Sequence, residues 1–221
     1  MVYPYMIGKG DWGSYSKAFD YWAAVFASRD PASMAANSGV DYDAVNSAFL
    51  VESFGQRLEV TYPEARVRFA GGGVSPTFAW CLPVINYLAR ADGTPLSGDL
   101  ISYRELESGT AYYPAFRREA INRLSRWSEG KSAGLLARAA VELGGELSGG
   151  ADFACTLRVL PRFPIVFKIW FPDDELGGSA NLLFDSTANH YLHTEDIAAM
   201  GELAAHFIIR HCNFLAGENG D

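Results

Sequence analysis

Two histidines and three acids between residues 185 and 196 form the densest set of ionisable groups in the chain. They are Asp185, His190, His193, Glu195 and Asp196. Two imidazoles and a carboxylate can bind a divalent metal with an open position for water, which acidifies that water for hydrolysis. His190, His193 and Glu195 are therefore candidate metal ligands, and the chemistry they predict is metal-assisted hydrolysis.

The same loop has a simpler, structural interpretation. Asp185 and Asn189 are typical of side chains that accept hydrogen bonds from the backbone N–H groups of a tight turn. Thr194 can cap a helix that begins there, and Glu195 and Asp196 would lie at the positive end of the helix dipole. This interpretation leaves no residue assigned to catalysis, so the enzyme hypothesis stays the alternative.

A second candidate site combines arginines and aromatic side chains from the middle of the chain. Arg104, Tyr113, Arg117, Arg162 and Asp185 could line a pocket for a small anionic or planar ligand, because guanidinium groups bind anions and stack on flat surfaces. Alternatively, Arg104 and Arg162 pair with acids such as Asp99 or Asp185 and hold loops in place.

The composition disfavours several other functions. Lys and Arg number 18 against 26 Asp and Glu, which gives a formal net charge of -8. An acidic chain without a basic run is a poor partner for nucleic acid. The three cysteines, Cys81, Cys155 and Cys212, form no CxxC pair, so the chain offers no thiolate set for zinc or an iron–sulfur cluster and no cofactor is indicated.

The chain is also expected to be cytoplasmic and independent of a membrane. No segment has eighteen uninterrupted apolar residues, and the first residues lack a basic region followed by a long apolar run. Hydrophobic residues make up 49% of the sequence, which is enough to form a sizeable buried core.

The elements that would position these side chains follow from hydrophobic periodicity. Helical spacing predicts helices over 14–29, 31–37, 76–91, 114–128, 132–143 and 194–214, with Ser14 as the cap of the first. Strand patterns predict strands over 47–53, 57–61, 65–69, 152–160, 165–171 and 181–184. This order predicts one α+β domain over residues 1–221, with several helices packed on a mostly antiparallel sheet of about six strands and a long C-terminal helix.

Several segments of the chain resemble a bacterial and archaeal family, the domain of unknown function DUF3786. The segments are DGTPLSGDLISYREL, GGADFACTLRVLPRFPIVFKIW and LLFDSTANHYLHTEDIAAMGEL, together with SRDPASMAANSGVDYD and the helix ending INYLARADG. The resemblance covers nearly the whole chain. The family has no established activity to carry over to these residues.

The resemblance also implies a metabolic setting. Some relatives are joined to a cysteine-rich segment of the kind that holds an iron–sulfur cluster, in anaerobes with corrinoid-dependent one-carbon chemistry. This chain has no such segment. The expectation is therefore a non-catalytic accessory module that binds a small ligand or a partner protein, and a homodimer is left open.

Overall fold

The strands form two antiparallel sheets, and helices pack on them. The computed structural model describes residues 2–8 and 16–218. The expected α+β class and antiparallel pairing are confirmed. The single sheet of about six strands is instead a sheet of four strands and a sheet of five, because strand patterns identify strands without saying which of them pair.

The first sheet is a meander in which each strand pairs with its neighbour in the sequence. Its strands are β1 Asp41–Asp43, β2 Ala48–Ser53, β3 Gln56–Thr61 and β4 Val67–Phe69. Phe54 and Gly55 join β2 to β3 with φ angles of 50° and 68°, the pair of positive values that a type I′ hairpin turn requires. The strand β1 was not predicted from the sequence.

The second sheet has the order β5–β9–β8–β7–β6. Its strands are β5 Leu100–Ser102, β6 Gly145–Ser148, β7 Phe153–Leu160, β8 Phe163–Trp170 and β9 Ser179–Asp185. The pairing of the neighbouring strands β7 and β8 has an irregularity between Arg158 and Leu160. The edge strand β6, which was not predicted, begins at Gly145, two residues after the predicted end of the helix over 132–143.

The helices lie close to their predicted positions with one exception. They are α1 Ser16–Ala27, α2 Pro31–Ser38, α3 Phe78–Arg90, α4 Gly109–Phe116, α5 Asn122–Ser128, α6 Ala133–Glu142 and α7 Thr194–Leu215. The predicted helix over 114–128 is wrong as a single element. The helical region begins earlier than predicted, at Gly109, where a Cβ would collide with the Tyr103 carbonyl oxygen. It is also divided, because a π-helical segment, Arg117–Ile121, separates α4 from α5.

The cap predicted for the first helix, Ser14, lies outside the described residues. None of the helices in 2–8 and 16–218 combines the length and apolarity needed to cross a membrane.

The two sheets meet beside α3 and α7. The Ser53 hydroxyl, at the end of β2, donates to the Val159 carbonyl of β7 at 2.5 Å and accepts from the Trp80 indole N–H at 2.9 Å. The Trp80 ring packs edge-on against Phe54 and Phe207. This buried junction holds α3 and α7 side by side, and therefore brings the C-terminal end of α3 to the loop between β9 and α7.

Candidate functional site

The arginine and aromatic side chains predicted to line a ligand pocket make local contacts. The Arg104 guanidinium lies over the Tyr113 ring, 4.9 Å from its centroid, and Arg117 is exposed in the π-helical segment. Neither arginine lines the cavities near the β9–α7 loop.

Arg162 holds two loops together through backbone carbonyls. It lies in the turn between β7 and β8, and its Nη1 donates to Asn37 O at 2.9 Å and Gly93 O at 3.3 Å. The expected pairing of Arg162 with an acid such as Asp185 is replaced by these bonds. Arg162 thus joins the end of α2 to the segment after α3.

Asp185 anchors the loop before β5. Its carboxylate accepts from the N–H groups of Ser97 and Gly98, at 3.1 and 2.8 Å, and from the Thr187 hydroxyl at 2.6 Å. Burial alone would raise the pKa of Asp185, but these hydrogen bonds to the ionised form outweigh it and lower the pKa to about 2. Asp185 thus has the predicted structural role, in which its side chain accepts hydrogen bonds from backbone N–H groups.

The three candidate metal ligands point to different partners. His190 contacts Asp92, His193 contacts Arg90, and the Glu195 carboxylate accepts from the Tyr112 hydroxyl at 2.9 Å. Within the described ranges there is no group of three His, Cys, Asp or Glu side chains arranged to hold a metal. The geometry therefore offers no support for the metal-assisted hydrolase alternative.

Thr194 has a different role from the predicted helix cap. The residue at the cap position of α7 is His193. The Thr194 hydroxyl donates to Glu107 O at 2.5 Å and accepts from Asn189 Nδ2 at 3.1 Å. Asn189 Oδ1 accepts from the Glu107 N–H at 2.9 Å, so the β9–α7 loop is fixed to the segment before α4.

Three neighbouring cavities meet at Arg90, the last residue of α3, and we call them together the Arg90 groove. Their volumes are about 510, 390 and 610 Å³, and Arg90 lines all three. The first lies between α3 and the segment from Ser28 to Asn37. The second and third lie against the β9–α7 loop and share Glu107 and Asn189.

Arg90 connects α3 to this loop and keeps part of its donor capacity. Its Nε and Nη2 donate to the Asn189 carbonyl at 3.3 and 3.1 Å, and its Nη1 lies 3.1 Å from His193 Nε2. An arginine has five N–H groups, so two remain without a partner among the described residues. The guanidinium can only donate, and His193 therefore accepts at Nε2 and carries its proton on Nδ1.

His193 is held as a neutral imidazole. The His193 side chain is largely exposed, but its partial burial, reinforced by the Arg90 charge, lowers its pKa. The Trp22 ring lies 5.6 Å from the imidazole, between centroids, so α1 contributes to this side of the groove. The Nδ1–H group has no partner among residues 2–8 and 16–218 and is left as a donor.

His190 and Asp92 form an oriented pair on the other side of Arg90. His190 Nδ1 lies 2.7 Å from Asp92 Oδ2 and 3.1 Å from the Thr94 hydroxyl. The hydrogen bond with His190 lowers the pKa of Asp92 to about 2, so this carboxylate is ionised and accepts the Nδ1 proton. The other ring nitrogen, Nε2, then has its lone pair available, which is the orientation that a general base requires.

Carboxylates outnumber arginines along the groove. The lining contains Arg29 and Arg90 against Asp30, Asp92, Glu107 and Glu195. Asp30 caps α2 by accepting from Ser33 N at 2.8 Å. The Glu107 carboxylate accepts no hydrogen bond from the described residues.

A buried carboxyl group lies next to the groove. Asp196, in the first turn of α7, is 9% exposed and accepts from Asn86 Nδ2 at 2.9 and 3.1 Å. Asn86 is one helical turn before Arg90, so both lie on the same face of α3. Burial raises the pKa of Asp196 to about 6, although the Asn86 hydrogen bond acts in the opposite direction.

Sequence patterns identified one wall of the groove and missed the residue at its centre. They selected His190, His193 and Glu195, but not Arg90, Asp92 or Glu107. A signal for Arg90 was present, because an arginine that ends an otherwise apolar helix needs a partner for its charge. Which partner it meets depends on how α3 and α7 pack.

Comparison with known proteins identifies a family. The family model of the domain of unknown function DUF3786 matches residues 30–207. No curated protein and no solved structure matches the chain. The match includes the β9–α7 loop and every residue that lines the first cavity except Ser28 and Arg29. The chain therefore belongs to the DUF3786 family.

Proposed function

We propose that this protein is a binding module for a small polar ligand, which occupies the Arg90 groove. The observation that carries the proposal is the convergence of three cavities on one arginine that keeps two N–H groups for a ligand. The cavity volumes fall in the range of about 300–1,000 Å³ that is usual for small-molecule sites.

The walls of the groove support this proposal because they are held in place without a ligand. Arg162 joins Asn37 to Gly93, and Asn189 joins the β9–α7 loop to Glu107. A site whose side chains are already positioned loses less conformational entropy when it binds.

The proposal also includes a metabolic setting and a partner. The setting implied by the family is anaerobic corrinoid-dependent one-carbon metabolism, and a partner protein would deliver or receive the ligand.

Screening a library of polar metabolites by ligand-observed NMR tests the binding role. We expect Arg90→Gln to weaken binding of the hits at least tenfold, since it removes the guanidinium donors. Glu107→Gln should change the affinity without affecting the fold, because the Glu107 carboxylate has no hydrogen bond to any residue that the structure describes. Arg117→Gln, at an exposed arginine outside the groove, is the matched control.

Two outcomes would contradict the binding role. One is a screen in which the wild-type protein yields no hit. The other is a set of hits whose affinities are the same in the wild type and in both groove variants.

A second candidate function is acid–base catalysis, and the His190–Asp92 pair favours it. Asp92 fixes the His190 proton on Nδ1, so Nε2 can accept a proton from a bound substrate or from water. If a panel of nitrophenyl esters and phosphates reveals turnover, we expect His190→Gln to lower kcat by a factor of about 10²–10⁴. His206→Gln, on the middle of α7, is the control, and equal rates in the two variants would rule out this role for His190.

A further inference from the structure

We infer that the ligand of the Arg90 groove is a zwitterion, a small molecule that carries both a carboxylate and a protonated amine. This inference rests on the proposed binding function and names the chemical class of the ligand. It follows from the donors and acceptors that the groove leaves unused, and from their signs of charge.

The anionic end of the ligand has donors at Arg90 and His193. Arg90 keeps two N–H groups after its bonds to Asn189 and His193, and His193 presents its Nδ1–H. Both residues line the cavity of about 610 Å³. A guanidinium group with two N–H groups free matches the two oxygens of a carboxylate.

The cationic end has acceptors in the same cavity. Glu107 and Glu195 both line it. The Glu107 carboxylate has no hydrogen-bond partner among the described residues, and Glu195 uses only Oε1, on the Tyr112 hydroxyl. Three carboxylate oxygens are therefore left, and a protonated amine has up to three N–H groups to donate.

A ligand with a single charge fits this arrangement less well. An anion bound at Arg90 would lie in a cavity that also contains Glu107 and Glu195, which repel it. A simple cation bound at those carboxylates would face the Arg90 guanidinium. Only a molecule with both charges meets an opposite charge at each end and satisfies the unused groups of both signs.

The experiment compares zwitterions with analogues that lack one charge. Isothermal titration calorimetry would measure the twenty standard amino acids and the ω-amino acids from β-alanine to 6-aminohexanoate. The best binder is then compared with its amide, which lacks the carboxylate, and with its N-acetyl derivative, which lacks the ammonium. We expect each derivative to bind at least tenfold more weakly than the parent compound.

The variants assign each charge to its partner in the groove. Arg90→Gln should reduce the difference in affinity between the parent compound and its amide. Glu107→Gln should reduce the difference in affinity between the parent compound and its N-acetyl derivative. Because Glu107 has no side-chain hydrogen bond among the described residues, its variant gives a result even if Arg90→Gln disturbs the β9–α7 loop. Arg117→Gln should leave both differences unchanged.

The outcome separates this inference from the binding function. If metabolites bind in an Arg90-dependent way but the best binders carry a single charge, the zwitterion inference is wrong and the binding function stands. Equal affinity of a zwitterion and both derivatives, or differences that Glu107→Gln leaves intact, also overturns it. If neither the amino acids nor the metabolite library bind, both proposals fail.

Discussion

Asp196 shows most clearly how one residue depends on its surroundings. At the start of a helix an aspartate is usually solvated and stabilised by the helix dipole. Here the side chain is 9% exposed and packs against Asn86, whose Oδ1 is buried without a partner in the described part of the chain. The carboxyl group therefore lies in surroundings that favour its neutral form.

The pH dependence of stability follows from this burial. The pKa of Asp196 rises from 3.8 to about 6 on folding, so the stability that its protonation contributes is complete below pH 3.8 and is lost as the pH rises through 6. Asparagine cannot ionise, so we expect Asp196→Asn to remove this loss of stability. The variant should be more stable than the wild type by up to about 3 kcal/mol at pH 7.5 and by little at pH 4. Urea denaturation at several pH values measures the difference.

Asp92 provides a control, because its pKa is shifted in the opposite direction from that of Asp196. Its pKa is lowered to about 2, so the stability it contributes is present above its unfolded pKa and is lost as the pH falls through 2. Asp92→Asn should therefore be less stable than the wild type at neutral pH. If the free energy of unfolding of Asp196→Asn runs parallel to that of the wild type from pH 4 to 7.5, the buried carboxyl is not the cause.

Among the secondary-structure elements, α7 can approach α4 only because of a glycine. A Cβ built at Gly201 would lie 2.6 Å from Cε2 of the Phe116 ring. That ring is 1% exposed and stacks on Tyr103 at 4.2 Å between centroids, so it has little room to move. The glycine thus sets the distance between the two helices.

This contact makes Gly201→Ala destabilising, although alanine is the better helix former by about 1 kcal/mol. Overpacking of a filled core costs about 1–3 kcal/mol, and we expect a net loss of stability in urea denaturation. Gly134→Ala is the control, since Gly134 lies in α6, where a Cβ would have no atom within 4 Å, and this variant should gain a few tenths of a kcal/mol. Equal effects of the two substitutions would contradict the packing argument.

The length and periodicity of each element explain which of them could be predicted. The strongly periodic segments, such as α3, α7 and the central strands β7 and β8, have the expected type and nearly the expected ends. The short edge strands β1 and β6 were not predicted, because three or four residues carry too little periodicity. The break at Arg117–Ile121 was missed because a π-helical segment keeps an almost helical pattern of burial.

In the molecule as a whole, the two sheets and the groove depend on contacts between distant parts of the chain. Ser53 and Val159 join the sheets across more than a hundred residues, and Trp80 bonds to the same hydroxyl. Arg90 reaches Asn189 and His193 across a similar separation. No local pattern encodes such pairings.

The resemblance of several segments identified the family. Sequence patterns were enough to predict the α+β class, most helices and strands, and the structural role of Asp185. These follow from hydrophobic periodicity and turn chemistry, which act between residues close together in the chain. The separate partners of His190, His193 and Glu195, and the carbonyl oxygens bound by Arg162, became apparent only from the packed fold. The same is true of Arg90 as the centre of the groove, because the position of a side chain at the end of a helix depends on what packs against that helix.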